Sequence, residues 1–329
     1  MFLAEEFNPF LKFVRHPRHS LRRVINFFSR QQLSTVIHAP FVVLNDRWAR
    51  MRLLGRFAFV HNLMFHLYRS RSSRVQYADS LFPAVEIEEV VAALRADGFY
   101  VGLVLPHDVR REILDFATRM ECYGDLNPQC GLSHAERSRA EAKVGKRFLI
   151  GQFFNASTNC QAIRALESDP KLLAISRKYV GRDARHVGTN LWWSYPIEEA
   201  PPTRVEHGQA FHFDLDDYRF LKIFFYLTDV DDLSGPHMFV RGTHKKRRLN
   251  HQLIIKRFSD QDIVRSYGRD NLVTISGPAG MGFAEDTFGL HKGIPPTQKE
   301  RLVLQMEFAV NDYNNTNDNR DPSQLKSIL

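Results

Sequence analysis

Two short stretches carry side chains able to hold a metal ion. In AFHFDL, His212 and Asp214 stand two residues apart. On an extended backbone, residues i and i+2 project to one face, so the imidazole and the carboxylate point together while Phe213 points away. A third nitrogen is expected from elsewhere, and His291, in FGLHKG, follows 79 residues after His212. Two histidines and one carboxylate take one face of an octahedral ion and leave positions open, the ligand set of non-haem ferrous centres. Asp216 shares the parity of Asp214, and Asp217 adjoins it, so both compete for the carboxylate role; the spacing of Asp214 suits one small ion better. Ten residues past His291, Arg301 opens RLVLQMEF. Its guanidinium fork can clamp a carboxylate through two hydrogen bonds, as a dicarboxylate co-substrate requires. Lys222, on the strand face of Phe224 and Tyr226, and Ser194, beside Trp192 and Trp193, are further candidates for co-substrate contact. His237 and His244 lie in a glycine-rich turn block and read as structural or substrate-side rather than as metal ligands.

Such residues need a β-rich frame. From about residue 147 the chain becomes a series of short β-branched or aromatic runs (RFLIGQFF, TNLWWSYP, AFHFDL, YRFLKIFFYL, HMFVRG, LVTIS, GMGFAE, RLVLQMEFAV) separated by Gly, Pro and Asp clusters. That texture predicts an antiparallel sandwich or barrel. Ahead of it, Ile87, Val90, Val91 and Leu94 recur at helical spacing up to Asp97-Gly98, where glycine can take the left-handed conformation that ends a helix. Phe99 to Leu105 is β-rich, and Pro106-His107-Asp108 opens a second helix through Ile113, Leu114, Phe116 and Ala117. Helices gathered before strands make the class α+β. Residues 121–145 read as a polar, irregular surface excursion, and the Asn/Asp-rich tail beyond Asn311 as frayed.

With 329 residues, 43% hydrophobic and 25% charged, the chain is neither disordered nor collagen-like. Its three cysteines are too few for a disulfide framework or a zinc ribbon, which predicts a reducing, cytoplasmic setting. No uninterrupted apolar run reaches the ~18 residues of a membrane span, and MFLAEEFNPFLKF does not read as a secretory signal. Charge is unevenly placed: residues 1–75 hold thirteen Lys+Arg against three acids, and the other 254 residues are near neutral. Within this front end Leu21, Val24, Ile25 and Phe28 alternate with Arg22, Arg23 and Arg30. They predict an amphipathic helix that either docks on the protein's own core or, through residues 10–30, lies on the inner face of a membrane. Phe57 to Tyr68 reads as a buried helix, and Tyr68 to Ser80 as a joint. No finger, RNP or zipper pattern accompanies the arginines, which argues against nucleic acid.

From Val85 to about Val310 the sequence resembles the phytanoyl-CoA dioxygenase group of Fe(II)/2-oxoglutarate-dependent oxygenases. VVAALRADGFYVGLVLP, FHFD, LTDVDDLSGPHMFVRGTHK and HKGIPP followed by Arg301 carry the resemblance, in the family's order. It implies a double-stranded β-helix (jelly-roll, cupin-like) core with His212, Asp214 and His291 on iron and Arg301 on the distal carboxylate of 2-oxoglutarate. It also implies O2-dependent hydroxylation of an unactivated C–H bond, with release of succinate and CO2. A carboxylate at Asp214, where related halogenases have a small residue, favours hydroxylation over halogenation. Departures are Phe213 between the first two ligands, Arg241 and Thr243 in the turn block, and Gly293 after the distal histidine. They leave the iron site intact but bear on the remaining 2-oxoglutarate contacts. Two other readings stand beside it: a non-catalytic jelly-roll scaffold, and a cupin-type metal enzyme that uses no 2-oxoglutarate. The expected organisation is a basic, mostly helical extension (1–80), an oxygenase domain (81–312) and a flexible tail (313–329). The expected substrate is a small or lipid-linked molecule, anionic if the basic front end meets it.

Overall fold

The computed structural model describes residues 46–68, 79–196, 210–253, 257–314 and 317–329. The amphipathic segment at 21–30 therefore lies outside the described residues, as does most of the joint at 68–80. Asp46 caps helix α1 (Arg47–Leu54) by accepting hydrogen bonds from the backbone amides of Trp48 and Ala49. Helix α2 (Ala58–Leu67) follows. It is not the buried rod its composition suggests: His61 is buried, whereas Phe59, Leu63 and Leu67, one above another at i, i+4 and i+8, are exposed. Helix α3 (Ile87–Asp97) buries Val90, Val91 and Leu94, and ends at Gly98 with φ 95°. A side chain there would collide with His244 Nδ1 at 2.6 Å and with Phe239 at 2.7 Å.

Strand β1 (Phe99–Val104) leads to helix α4 (His107–Arg119). The stretch at 121–145, expected to be irregular, instead extends the sheet. It forms β2 (Cys122–Gly124), β3 (Gly131–Leu132) and helix α5 (Arg137–Val144). Sparse apolar residues suffice there, because Cys122, Leu132 and Ala140 are each fully buried and join the main core. After β4 (Ile150–Phe153) come α6 (Ala156–Asn159), α7 (Gln161–Glu167) and α8 (Pro170–Tyr179), with Asp169 capping the last. The helices are thus interspersed with the strands rather than gathered ahead of them. Strands β5 (Arg185–Ser194), β6 (Phe220–Tyr226) and β7 (His237–Val240) precede α9 (Leu249–Leu253) and α10 (Asp260–Tyr267). The chain then forms β8 (Leu272–Ile275), β9 (Met281–Glu285), β10 (His291–Gly293) and β11 (Arg301–Ala309).

Among the described residues these strands make two antiparallel sheets, an eight-stranded one ordered β1-β9-β6-β11-β5-β4-β2-β3 and a three-stranded one ordered β10-β7-β8. Strand parity divides the interior. In β6, Leu221, Ile223 and Phe225 pack with Val90, Ile113, Ile163 and Leu172 of the helices that cover one face of the large sheet. Phe224 and Tyr226 turn the other way, to Phe283, Val303 and Ile275, which fill the space between the sheets. The tail also departs from expectation. Its described residues 317–329 are pinned by backbone hydrogen bonds, Lys326 N to Pro128 O and Ile328 N to Gly131 O.

Candidate metal centre

AFHFDL forms no continuous strand. Single backbone bridges hold it instead, His212 to His291 and Phe211 to Phe258, and the Asp214 amide donates to the Thr287 carbonyl. Alternation persists all the same. Phe211, Phe213 and Leu215 bury themselves with Phe288 and Leu290, while His212 and Asp214 face the space between the sheets. The reciprocal amide–carbonyl pair between His212 and His291, 2.9 Å each way, sets the two imidazoles 4.3 Å apart between ring centres.

Each histidine is tied by Nδ1 to the carbonyl two residues before it, His212 to Ala210 at 2.9 Å and His291 to Gly289 at 3.0 Å. Donation from Nδ1 leaves the lone pair on Nε2, the tautomer a metal ligand needs. His212 Nε2 lies 3.7 Å from Asp214 Oδ1, and His291 Nε2 lies 3.5 Å from Asp214 Oδ2. Two donors each about 2.1 Å from one ion stand roughly 3.0 Å apart at a right angle and about 3.4 Å at the tetrahedral angle. Small side-chain rotations close the difference, so these residues fit a divalent ion. Among the described residues they are the one group of three metal-ligating side chains whose donor atoms fall within 4.8 Å of one another. Of the three competing carboxylates only Asp214 has an oxygen in that group; Asp216 meets Lys222 outside it, and Asp217 accepts hydrogen bonds from the Tyr218, Val310 and Asn311 amides.

Electrostatics agree with a cation site. Burial holds the His212 imidazole well below its ordinary pKa, so it is neutral and able to bind near neutrality. Burial alone would raise Asp214, but the Lys222 ammonium beside it keeps it well below the usual carboxylate range, and it stays ionised. Behind the triad, burial pushes Glu285 up to about 8. Its Oε1 lies 3.8 Å from His291 Nδ1, and its Oε2 lies 2.8 Å from His237 Nε2, though off the axis of a hydrogen bond.

The triad lines a cavity of about 250 Å³ whose walls include Trp192, Phe224, Tyr226, Phe283 and Val303. Arg301 enters it from the first residue of β11. The guanidinium is buried, its Nη2 lies 3.5 Å from Ser194 Oγ, and among the described residues no carboxylate pairs with it. A buried cation without an anion, in a cavity with a metal triad, is placed to receive a carboxylate from a ligand. Ser194 thus stands where its side chain can share that ligand. Lys222 has different partners from those expected: its ammonium holds Asp214, Asp216 and Glu307, so it meets carboxylates of the chain rather than one from a co-substrate. His237 lines the cavity, and His244 is buried outside it against Gly98. The sequence offers Glu285, Asp286 and Glu307 as surface partners of Arg301; all three are instead buried and none pairs with it, Glu285 facing His237 and Glu307 facing Lys222.

No protein-family model matches the sequence, and no curated protein sequence matches it. Among solved structures the chain is similar to the non-haem α-ketoglutarate-dependent epimerase SnoN of nogalamycin biosynthesis, crystallised with Fe3+, α-ketoglutarate and nogalamycin RO. The pair share 16% identity over 68% of this chain and 83% of that one, with a TM-score of 0.47. HygX from Streptomyces hygroscopicus, with nickel, 2-oxoglutarate and hygromycin B bound, is similar at 14% identity over 67% and 86%, TM-score 0.46. AviO1 from Streptomyces viridochromogenes Tue57 is similar at 16% over 69% and 96%, TM-score 0.46. At such identities and TM-scores, function must be read from the side chains of the site itself.

Proposed function

We propose that the protein is a non-haem iron and 2-oxoglutarate-dependent oxygenase, with His212, Asp214 and His291 on the metal and Arg301 on the distal carboxylate of 2-oxoglutarate. The observation that supports this most is the coincidence, in one cavity, of an Nδ1-locked His/Asp/His triad with a buried arginine lacking a carboxylate partner. Two antiparallel sheets with the triad between them are read as a double-stranded β-helix, and residues 81–312 as the oxygenase domain, completed by helices α1 and α2. When bound, a ferrous ion with 2-oxoglutarate and O2 supplies the oxidative decarboxylation to succinate and CO2 and the oxidising power to attack a C–H bond.

The chain's own part is placement and exclusion. His212 and His291 present their Nε2 atoms without reorganisation, Asp214 adds one negative charge, and Arg301 with Ser194 orients the co-substrate along the cavity floor. Trp192, Phe224, Phe283 and Val303 keep the cavity wall apolar and limit competing water. A carboxylate at Asp214 takes the position a halide would need, which supports hydroxylation over halogenation. The substrate is read as a small molecule or the small-molecule end of a lipid. Among the described residues no helix is long and apolar enough to cross a membrane, so any membrane encounter is assigned to the arginine-rich residues 10–30.

The test is conversion of 2-oxoglutarate to succinate with Fe(II), ascorbate and a metabolite panel. Substrate-stimulated succinate is expected from the wild type, with loss in Arg301→Ala. Turnover indifferent to Arg301→Ala would favour a metal enzyme that uses no 2-oxoglutarate. No turnover at all would favour a scaffold.

A further inference from the structure

We infer that Lys222 is a positioning residue for the metal: its ammonium ties down one oxygen of Asp214 and thereby offers the other to the ion. The inference rests on the reading of His212, Asp214 and His291 as metal ligands. Lys222 projects from the middle of β6 and is buried. Its Nζ lies 2.8 Å from Asp214 Oδ2, 2.8 Å from Asp216 Oδ2 and 3.5 Å from Glu307 Oε2. Those partners come from two directions. Asp214 and Asp216 share one face of the 211–215 stretch and its continuation, whereas Glu307 stands directly opposite Lys222 in the β11–β6 register.

The consequence falls on Asp214. Its Oδ2 is held by Lys222 and also lies 3.5 Å from His291 Nε2, while Oδ1 accepts no hydrogen bond among the described residues and lies 3.7 Å from His212 Nε2. A free carboxylate can rotate or chelate an ion through both oxygens. One oxygen fastened to a buried ammonium limits it to single-point ligation, which leaves more of the coordination sphere open. Asp216 and Glu307 in turn fix the ammonium, so the carboxylate is oriented by a chain of contacts that starts in the sheet.

Cobalt(II) binding to the full-length protein, followed by the visible absorption of the ion, tests this without turnover. Lys222→Met combined with Asp216→Asn removes the ammonium and one of the carboxylates paired with it, so the formal charge around the ion is unchanged. This double variant is expected to bind Co(II) about ten- to a hundredfold more weakly, the usual cost of losing a group that orients a ligand. Its band intensities should also change as Asp214 takes a second contact with the ion. Lys222→Arg, which keeps a charged donor, is expected to bind within tenfold of wild type and to decide the matter should the double variant not fold; a loss as large as that of an alanine ligand variant would count against the inference. Wild-type affinity and spectrum in the folded double variant would overturn it, leaving Lys222 as charge balance only. A wild-type protein that binds no Co(II) would instead overturn the triad itself, and with it any role for Lys222.

Discussion

His212 and His291 are each locked through Nδ1 to the carbonyl two residues earlier, so the site's readiness depends on local backbone as much as on the rings. Gly289 supplies one of those carbonyls. A side chain at that position would stand 2.4 Å from Phe239 Cζ, so Gly289→Ala should displace the carbonyl and weaken metal binding about tenfold, measurable by calorimetric titration. A second prediction concerns pH. Burial pushes His244 down to about 4, below the ~6.5 of an unfolded histidine. Above pH ~6.5 neither state is protonated and the group is silent. As pH falls from there towards 4, the unfolded chain takes up a proton that the folded one refuses, so stability declines. His244→Asn should flatten that part of the profile of unfolding free energy against pH, by on the order of 3 kcal/mol. At this scale the sequence was informative where chemistry is local. His212 and Asp214 were legible because a period of two needs no tertiary information. The partners of Lys222 were not, because they depend on which residue of β11 stands opposite it.

Helices α1 and α2, which the sequence places in the basic extension, pack against the stretches that carry the triad. Arg52 Nη1 reaches the Leu215 carbonyl at 3.4 Å, on the far side of the stretch that carries His212 and Asp214. His61 stacks on Phe288 with ring centres 4.2 Å apart, and its Nε2 lies 3.3 Å from Asp286, beside Glu285 and five residues before His291. His61→Ala removes the stack and a buried polar contact together. It should cost about 3 kcal/mol, read as a lowered Tm, with a weaker effect on metal affinity. Composition concealed this role because the apolar residues of α2 are split between two faces, with Phe59, Leu63 and Leu67 outward. Strands β4 to β9 and β11 were legible as aromatic and β-branched runs. Helices α6 and α7 are too short for a full apolar period to show against their polar residues, whereas α8 carries one at Leu172, Ile175 and Tyr179 behind the Asp169 cap.

Along the sequence, all of the excess positive charge lies in residues 1–75, while the strands that line the cavity come from the near-neutral remainder. Serine at Phe59 or Leu63 should change unfolding free energy by less than about 0.5 kcal/mol, because these side chains leave the core nothing to lose. The two-sheet architecture could be anticipated from turn spacing, but the docking of the tail could not, since the groups that hold it, the Pro128 and Gly131 carbonyls and the side chains of Gln129, Lys143 and Asn155, lie far away in sequence. The central claim is that one cavity holds both a ferrous ion and 2-oxoglutarate. Anaerobic titration with Fe(II) followed by 2-oxoglutarate measures this directly through the visible charge-transfer absorption of the chelated pair. A band saturating at one equivalent of each, lost in His212→Ala and shifted to much higher 2-oxoglutarate concentration in Arg301→Ala, is the predicted result. No band in the wild type, or one unchanged in both variants, would contradict it.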